Sequence, residues 1–246
     1  MSVKKSNDSI KLSKRRMQHL GLTIGAGALL VASSTVMKPL LSPTQCRWCS
    51  TNSFDDSIRS SLVWKNTDRA NMFSDVAAHA LVPAASVGLV ALGSITSGGF
   101  GNLFDDMLPI GETIALSQLA VQGFKFGFGR ERPYMHYTGE SKSSDDMMSF
   151  VSGHAALAFG LVTSAGTVAS MRGYKVAPYI WGIGLPLAAT TAYLRIAADK
   201  HYTTDVIAGS LIGATAGLLI PRLTLTKKLP FEVSPTGSGL SISGVW

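Results

Sequence analysis

The stretch YLRIAADKHYTTDVIAG at 193–209 places groups capable of nucleophilic chemistry inside a largely apolar part of the chain. His201 is followed four residues later by Asp205, so on a helix the two side chains would share a face. The carboxylate could then orient one ring nitrogen and leave the other free. The spacing therefore indicates a histidine nucleophile with an orienting carboxylate.

Two upstream positions supply positive charge at the end of another apolar segment. In KFGFGRERP, Lys125 and Arg132 flank six residues and Pro133 ends the segment. Arg195, six residues before His201, adds a third fixed cation. Arginine binds phosphate oxygens bidentately, and three cations that converge are costly without an anion between them. These residues predict a phosphate-binding site.

A third cluster opens an apolar run in FVSGHAALAFG. Ser152 and Gly153 at a helix start would expose backbone N–H groups and the positive end of the helix dipole, which favours an anion. Gly153 also allows close approach of the backbone. His154 could protonate a leaving oxygen while His201 attacks phosphorus. Together the clusters predict hydrolysis of a phosphomonoester or pyrophosphate through a phosphohistidine, with no metal and no cofactor.

Six apolar segments must position these clusters, and most approach the roughly 20 residues of a spanning helix. They lie near 20–37, 76–97, 107–124, 151–170, 177–194 and 206–220. Only 15% of residues are charged, against about 25% in soluble domains, and 46% are hydrophobic. Runs rich in Ala, Gly and Ser suit close helix packing in a bilayer, and a soluble helical core remains the alternative. We expect an all-α bundle of about six helices that spans a membrane.

The N-terminus and the tail have their own patterns. Six basic residues precede the first apolar run, which is typical of either a signal-anchor helix or a secretory signal peptide, and we favour the anchor. With the N-terminus inside, all three polar clusters fall on the outer face. In the tail, FEVSPTGSGLSISGVW alternates apolar and polar residues after Gly and Pro, which predicts strands.

The charge pattern and the cysteines exclude some classes of function. The net charge is +7, but the basic residues form no stripe interleaved with aromatics, so nucleic acid is not the expected partner. Cys46 and Cys49 are the only cysteines and lack a second ligand pair, so we expect no zinc site. On the outer face they could form a local structural disulfide, a redox pair or free thiols.

At these clusters the sequence resembles the type-2 phosphatidic acid phosphatase superfamily, which includes membrane lipid phosphatases, soluble bacterial acid phosphatases and vanadium haloperoxidases. The family pattern is Lys-x6-Arg-Pro, then Pro-Ser-Gly-His, then Ser-Arg-x5-His-x3-Asp. The first motif is intact here as Lys125 to Pro133. The other two match except that Val151 replaces Pro and Leu194 replaces Ser. Both departures spare the charged and titrating groups.

The resemblance implies a role for each matched residue. His201 is the nucleophile, Asp205 its partner and His154 the acid. The phosphate is held by the remaining matched positions, Lys125, Arg132, Ser152, Gly153 and Arg195.

The charge and hydropathy pattern, together with the resemblance, predicts a division of the chain. The expected parts are a basic segment at 1–19, a signal anchor or signal peptide at 20–37, an extracytoplasmic segment with CxxC at 38–75, a phosphatase helical core at 76–220 and a tail at 221–246. The substrate would be a membrane lipid phosphate or pyrophosphate. We expect a multi-pass protein of a bacterial-type inner membrane, with its active site facing the periplasm or exterior and its oligomeric state open.

Three other functions are alternatives to this one. A cleaved first segment would give a soluble periplasmic acid phosphatase of broad specificity. The same residues could hold vanadate, as in a haloperoxidase. A degenerate site could bind anionic head groups without catalysis, although His154, His201 and Asp205 are all present.

Overall fold

The computed structural model describes residues 2–225 and, in the tail, 231–236 and 239–244. The predicted all-α fold is confirmed for the body of the chain. In the tail, β1 (Phe231–Thr236) pairs antiparallel with β2 (Gly239–Gly244), as the alternation there predicts.

Ten α-helices make up the described body of the chain, and the longest non-helical connections between them are residues 42–52 and 139–152. In chain order they are α1 (Ser2–Thr35), α2 (Lys38–Leu41), α3 (Ser53–Leu62), α4 (Thr67–Val76), α5 (Leu89–Gly98), α6 (Phe100–Phe128), α7 (Pro133–Thr138), α8 (Gly153–Arg172), α9 (Ala177–Ala197) and α10 (Thr203–Leu225). Two π-helical turns, Ala77–Leu81 and Ala84–Gly88, join α4 to α5 into one continuous helical stretch. That stretch begins at Thr67, earlier than the apolar pattern near 76–97 indicates.

Among the described residues, four helical stretches are long and apolar enough to cross a membrane. They are Thr67–Gly98, Gly153–Arg172, Ala177–Ala197 and Thr203–Leu225. The chain is a multi-pass membrane protein. The other two predicted apolar segments, near 20–37 and 107–124, lie in α1, which ends at Thr35, and in α6.

Contacts between α1 and α6 fix the direction in which α1 runs. Arg16 pairs with Asp105 at 3.0 Å, and Ser34 accepts a hydrogen bond from Gln122 at 2.9 Å. The two helices are therefore parallel, and both begin at one end of the bundle and finish at the other. Lys125 lies in the last turn of α6, so the basic N-terminus and Lys125 are at opposite ends.

Glycines let α8 and α10 approach very closely. A Cβ on Gly209 would lie 2.3 Å from the carbonyl oxygen of Ser152, and one on Gly213 would lie 2.1 Å from that of Ala156. Neither distance is possible for a real side chain, so the backbones meet only because these positions are glycine. The contact sets the start of α8 beside the start of α10, where the Ser152 N–H donates to the carbonyl of Asp205 at 3.0 Å.

We predict that Gly213→Ala lowers the melting temperature in detergent, because the new methyl group forces α8 and α10 apart. Overpacking of this kind costs about 1–3 kcal/mol. The matched control is Gly182→Ala on α9, where nothing lies within 4 Å of the added Cβ. Equal melting temperatures for the two variants would contradict the close-contact argument.

Candidate active site

The three predicted clusters meet at one end of the helical bundle. Lys125 and Arg195 come from the last turns of α6 and α9, which run toward this end. His154 comes from the first turn of α8, which runs away from it. Contacts join the clusters, since a Cβ on Gly153 would lie 3.8 Å from the Lys125 amine and Arg132 Nη1 lies 3.5 Å from His201 Nε2.

His201 is buried in the connection between α9 and α10, and its side chain is only 2% exposed. The expectation that it shares a helix face with Asp205 is wrong, because α10 begins at Thr203. Its Nδ1 lies 2.8 Å from the carbonyl oxygen of Ser149 and 3.7 Å from the nearer oxygen of Asp205. A carbonyl can only accept, so Nδ1 carries the proton and Nε2 keeps its lone pair.

The surroundings of His201 keep its ring neutral. Burial lowers the pKa of His201 well below its ordinary value of 6.5, and the positive charges of Arg132, Arg195 and Lys125 lower it further. A neutral ring with an unprotonated Nε2 is the form that attacks phosphorus.

Asp205 is fully buried and holds the groups around His201 rather than the ring itself. It accepts hydrogen bonds from the Ser149 hydroxyl at 2.5 Å, the Tyr202 N–H at 3.0 Å and Arg130 Nη1 at 2.5 Å. Ser149 thus donates to Asp205 through its hydroxyl and accepts from His201 through its carbonyl. The carboxylate orients His201 through this intermediate.

His154 has a carboxylate partner that the motif pattern does not contain. Its Nε2 lies 2.8 Å from Asp75 on α4, and the same oxygen of Asp75 is 3.7 Å from Arg195. The site therefore contains two histidines, each associated with an aspartate. One aspartate acts through Ser149 and the other by direct contact.

Arg195 is buried against the same face of α4. Its Nη1 donates to Asn71 at 2.9 Å and to Ser74 at 2.7 Å. The sequence did not identify three of these α4 residues as part of the site, namely Asn71, Ser74 and Asp75. It placed them in an extracytoplasmic segment before the helix. Their spacing of three and four residues puts them on one helix face. This polar stripe at the start of an apolar helix is the sequence pattern that could have indicated a role in the site.

Arg132 is fixed by two backbone carbonyls. Its Nε donates to Asp145 at 2.8 Å and its Nη1 to Lys200 at 2.9 Å. The second contact ties the guanidinium to the residue before His201. Ser152 caps α8, because its hydroxyl accepts from the Ala155 N–H at 3.5 Å.

Asp75, His79 and His154 are the described residues that could together hold a metal ion, since one ligand atom from each lies within 4.8 Å of the others. Histidine and carboxylate ligands suit zinc. However, Arg195 lies 3.7 Å from Asp75, and Lys125 and Arg132 add positive charge to the same site. This balance favours an anion over a cation.

The two departures from the family motifs occupy buried apolar positions. Val151 is fully buried and packs with Val121 and Ala156. Leu194 is 6% exposed. Both side chains fill the protein interior next to the polar site.

Comparisons with known proteins agree with the motifs. Residues 106–229 match the PAP2 superfamily. A solved structure, described as the first transmembrane PAP2 type phosphatidylglycerolphosphate phosphatase from Bacillus subtilis, is 16% identical with a TM-score of 0.53 and covers 83% of this chain and 98% of its own. Aquifex aeolicus LpxE is 26% identical with a TM-score of 0.39, covering 63% of this chain and 93% of its own. No curated protein sequence matches.

The Bacillus structure shows the fold, and the family match covers the helices that carry all three clusters. The chain belongs to the PAP2 superfamily.

Proposed function

We propose that this protein is a membrane phosphatase that hydrolyses a lipid phosphate or lipid pyrophosphate through a phosphohistidine on His201. The observation that carries the proposal is the state of that ring. His201 is buried, its Nδ1 proton is held by the Ser149 carbonyl, and its Nε2 faces Arg132 at 3.5 Å. A neutral nucleophile among cations is suited to attack on a phosphate.

In the first step, the Nε2 lone pair forms a bond to phosphorus while the bond from phosphorus to the leaving oxygen breaks. His154 gives its proton to that oxygen, so the alcohol or lipid phosphate departs without an unfavourable charge. Lys125, Arg132 and Arg195 stabilise the charge on the phosphoryl oxygens, and the N–H groups at the start of α8 add to this. Asp75 orients the ring of His154.

In the second step, water attacks the phosphohistidine. His154, now neutral, takes a proton from the water, the bond between phosphorus and Nε2 breaks, and inorganic phosphate leaves. Both histidines return to their starting protonation states. The protein's own residues suffice for this sequence, so activity in EDTA is expected.

The geometry of the bundle supports a site on the outer face. The basic residues that precede the apolar part of α1 favour an inner N-terminus. Because α1 and α6 are parallel, the end of the bundle that carries Lys125 then lies outside. A head group at the outer surface of a bacterial-type inner membrane would meet the site there, which favours a lipid over a soluble ester. Release by carbonate extraction would instead support the soluble acid phosphatase.

We predict that His201→Ala lowers phosphate release by at least about a thousandfold, because the nucleophile is lost. The assay uses detergent-solubilised protein in EDTA, with phosphatidic acid micelles and a water-soluble aryl phosphate in parallel. His136→Ala is the matched control and should leave activity unchanged, since His136 lies on α7 and its ring pairs with Glu131, which precedes that helix.

Three outcomes of this assay would count against the proposal. Full activity of His201→Ala would remove the phosphohistidine mechanism. Better turnover of the aryl phosphate would favour the broad acid phosphatase. No release from either substrate by the native protein would favour the non-catalytic anion-binding function.

We predict that the acidic limb of the pH profile of kcat/KM lies below pH 6.5. The pKa of His201 is lowered by burial and by neighbouring cations, so protonation removes the nucleophile only at a lower pH than for a free histidine.

Arg132→Gln tests the same argument. It removes one of the charges that lower the pKa of His201, so the acidic limb should move to higher pH even though the overall rate falls. An unchanged limb would show that Arg132 does not act on His201 electrostatically.

A further inference from the structure

We propose that the loop closed by the Cys46–Cys49 disulfide positions the nucleophile, with Trp48 and Arg130 as the positioning residues that connect them. The inference rests on the proposed function of His201. It assigns a role to the CxxC segment, which lies outside the residues that match the family.

The disulfide loop is attached to the chain between α6 and α7. The Arg47 N–H donates to the Gly129 carbonyl at 3.0 Å, and the Glu131 N–H donates to the Trp48 carbonyl at 3.3 Å. Arg47 Nη1 also donates to the carbonyls of Phe126 and Gly127 at the end of α6, at 3.2 and 3.3 Å. The loop therefore holds the end of α6 and the backbone on either side of Arg130.

Arg130 is the cation that neutralises Asp205. It is 1% exposed, and its Nη1 donates to Asp205 at 2.5 Å and to the Thr204 hydroxyl at 2.7 Å. A buried carboxylate requires such a partner, because removing one member of a buried ion pair leaves an uncompensated charge.

Aromatic rings and a second carboxylate fix the guanidinium of Arg130. Its central carbon lies over the ring of Trp48, 4.2 Å from the centroid, and over the ring of Tyr202, at 4.0 Å. Nη2 donates to Asp55 on α3 at 2.8 Å, and Asp55 also accepts from the Thr204 N–H at 2.9 Å. Although burial raises the pKa of Asp55, hydrogen bonds from Thr204 and Arg130 hold it below its ordinary value, so Asp55 is ionised.

A continuous set of contacts thus runs from the disulfide loop to the nucleophile. Trp48 packs on Arg130, and Arg130 donates to Asp205. Asp205 in turn accepts from the hydroxyl of Ser149, and the backbone carbonyl of Ser149 orients His201. If Trp48 no longer covers the guanidinium, the positions of Asp205 and Ser149 become more mobile. His201 Nε2 is then no longer held in the orientation needed to attack phosphorus. Lys125 and Arg195 take no part in the contacts from Trp48 to His201.

The test compares Trp48→Leu with Trp48→Phe on phosphatidic acid. Loss of the cation–π contact should lower kcat about tenfold in Trp48→Leu, while Trp48→Phe keeps an aromatic face and most of the rate. KM should change less than twofold in both. Phe128→Leu is the matched control. The ring of Phe128 packs near Trp48, with 6.0 Å between the ring centroids, but it makes no cation–π contact with the Arg130 guanidinium.

The disulfide is tested by Cys46→Ser combined with Cys49→Ser. The kcat of this double variant should fall as much as that of Trp48→Leu. Adding Trp48→Leu to the double variant should lower kcat little further, since both changes break the same connection. Additive losses, or a kcat that follows only the fraction of folded protein, would overturn the proposal. Native kcat in either set of variants would do the same.

A second readout separates this inference from the proposed function. Diethyl pyrocarbonate modifies neutral, accessible histidine, and mass spectrometry reports the rate at His201. The rate should rise in Trp48→Leu and in the Cys-to-Ser double variant, and stay native in Trp48→Phe. Absence of phosphate release by the native protein would overturn the proposed function only. Unchanged modification rates at His201 in the variants would overturn the positioning role, whether or not the native protein releases phosphate.

Discussion

The arrangement of the site depends on one buried carboxylate and the groups that satisfy it. Asp205 accepts from Arg130, from the Ser149 hydroxyl and from the Tyr202 N–H, and its backbone carbonyl accepts from the Ser152 N–H. These contacts join the segment after α6, the segment before α8 and the start of α10. A charged group in so buried a position is tolerated only when it is paired, so the loss of any one of these partners would be costly.

The close approach of α8 and α10 supplies the scaffold for that network. Gly209 faces the Ser152 carbonyl and Gly213 faces Ala156, which places two helix starts side by side. Positive helix ends and N–H groups then point toward the same volume as the side chains of Arg132 and Arg195. The proposed phosphate site thus depends on helix packing as much as on the charged residues.

Much of this could be predicted from the sequence, and the rest could not for definable reasons. The motifs identify Lys125, His154 and His201, which meet at one end of the bundle, although the spacing of His201 and Asp205 does not give their local geometry. The orientation of His201 by the Ser149 carbonyl was not predictable. Every residue type has a backbone carbonyl, so the sequence does not indicate which one accepts the hydrogen bond. Asp75 is different, since its polar helix face was visible but its partner lies far along the chain.

The contact between α4 and α9 has a consequence for biosynthesis. Arg195 reaches Asn71 and Ser74 across more than a hundred residues of sequence. When α4 enters the bilayer, Asp75 and its polar neighbours have neither His154 nor Arg195 to pair with, and an unpaired acid within a membrane is costly. The polar face of α4 therefore gains these partners only after α8 and α9 have been synthesised. The site as a whole cannot be complete until the chain has been made as far as Asp205 in α10.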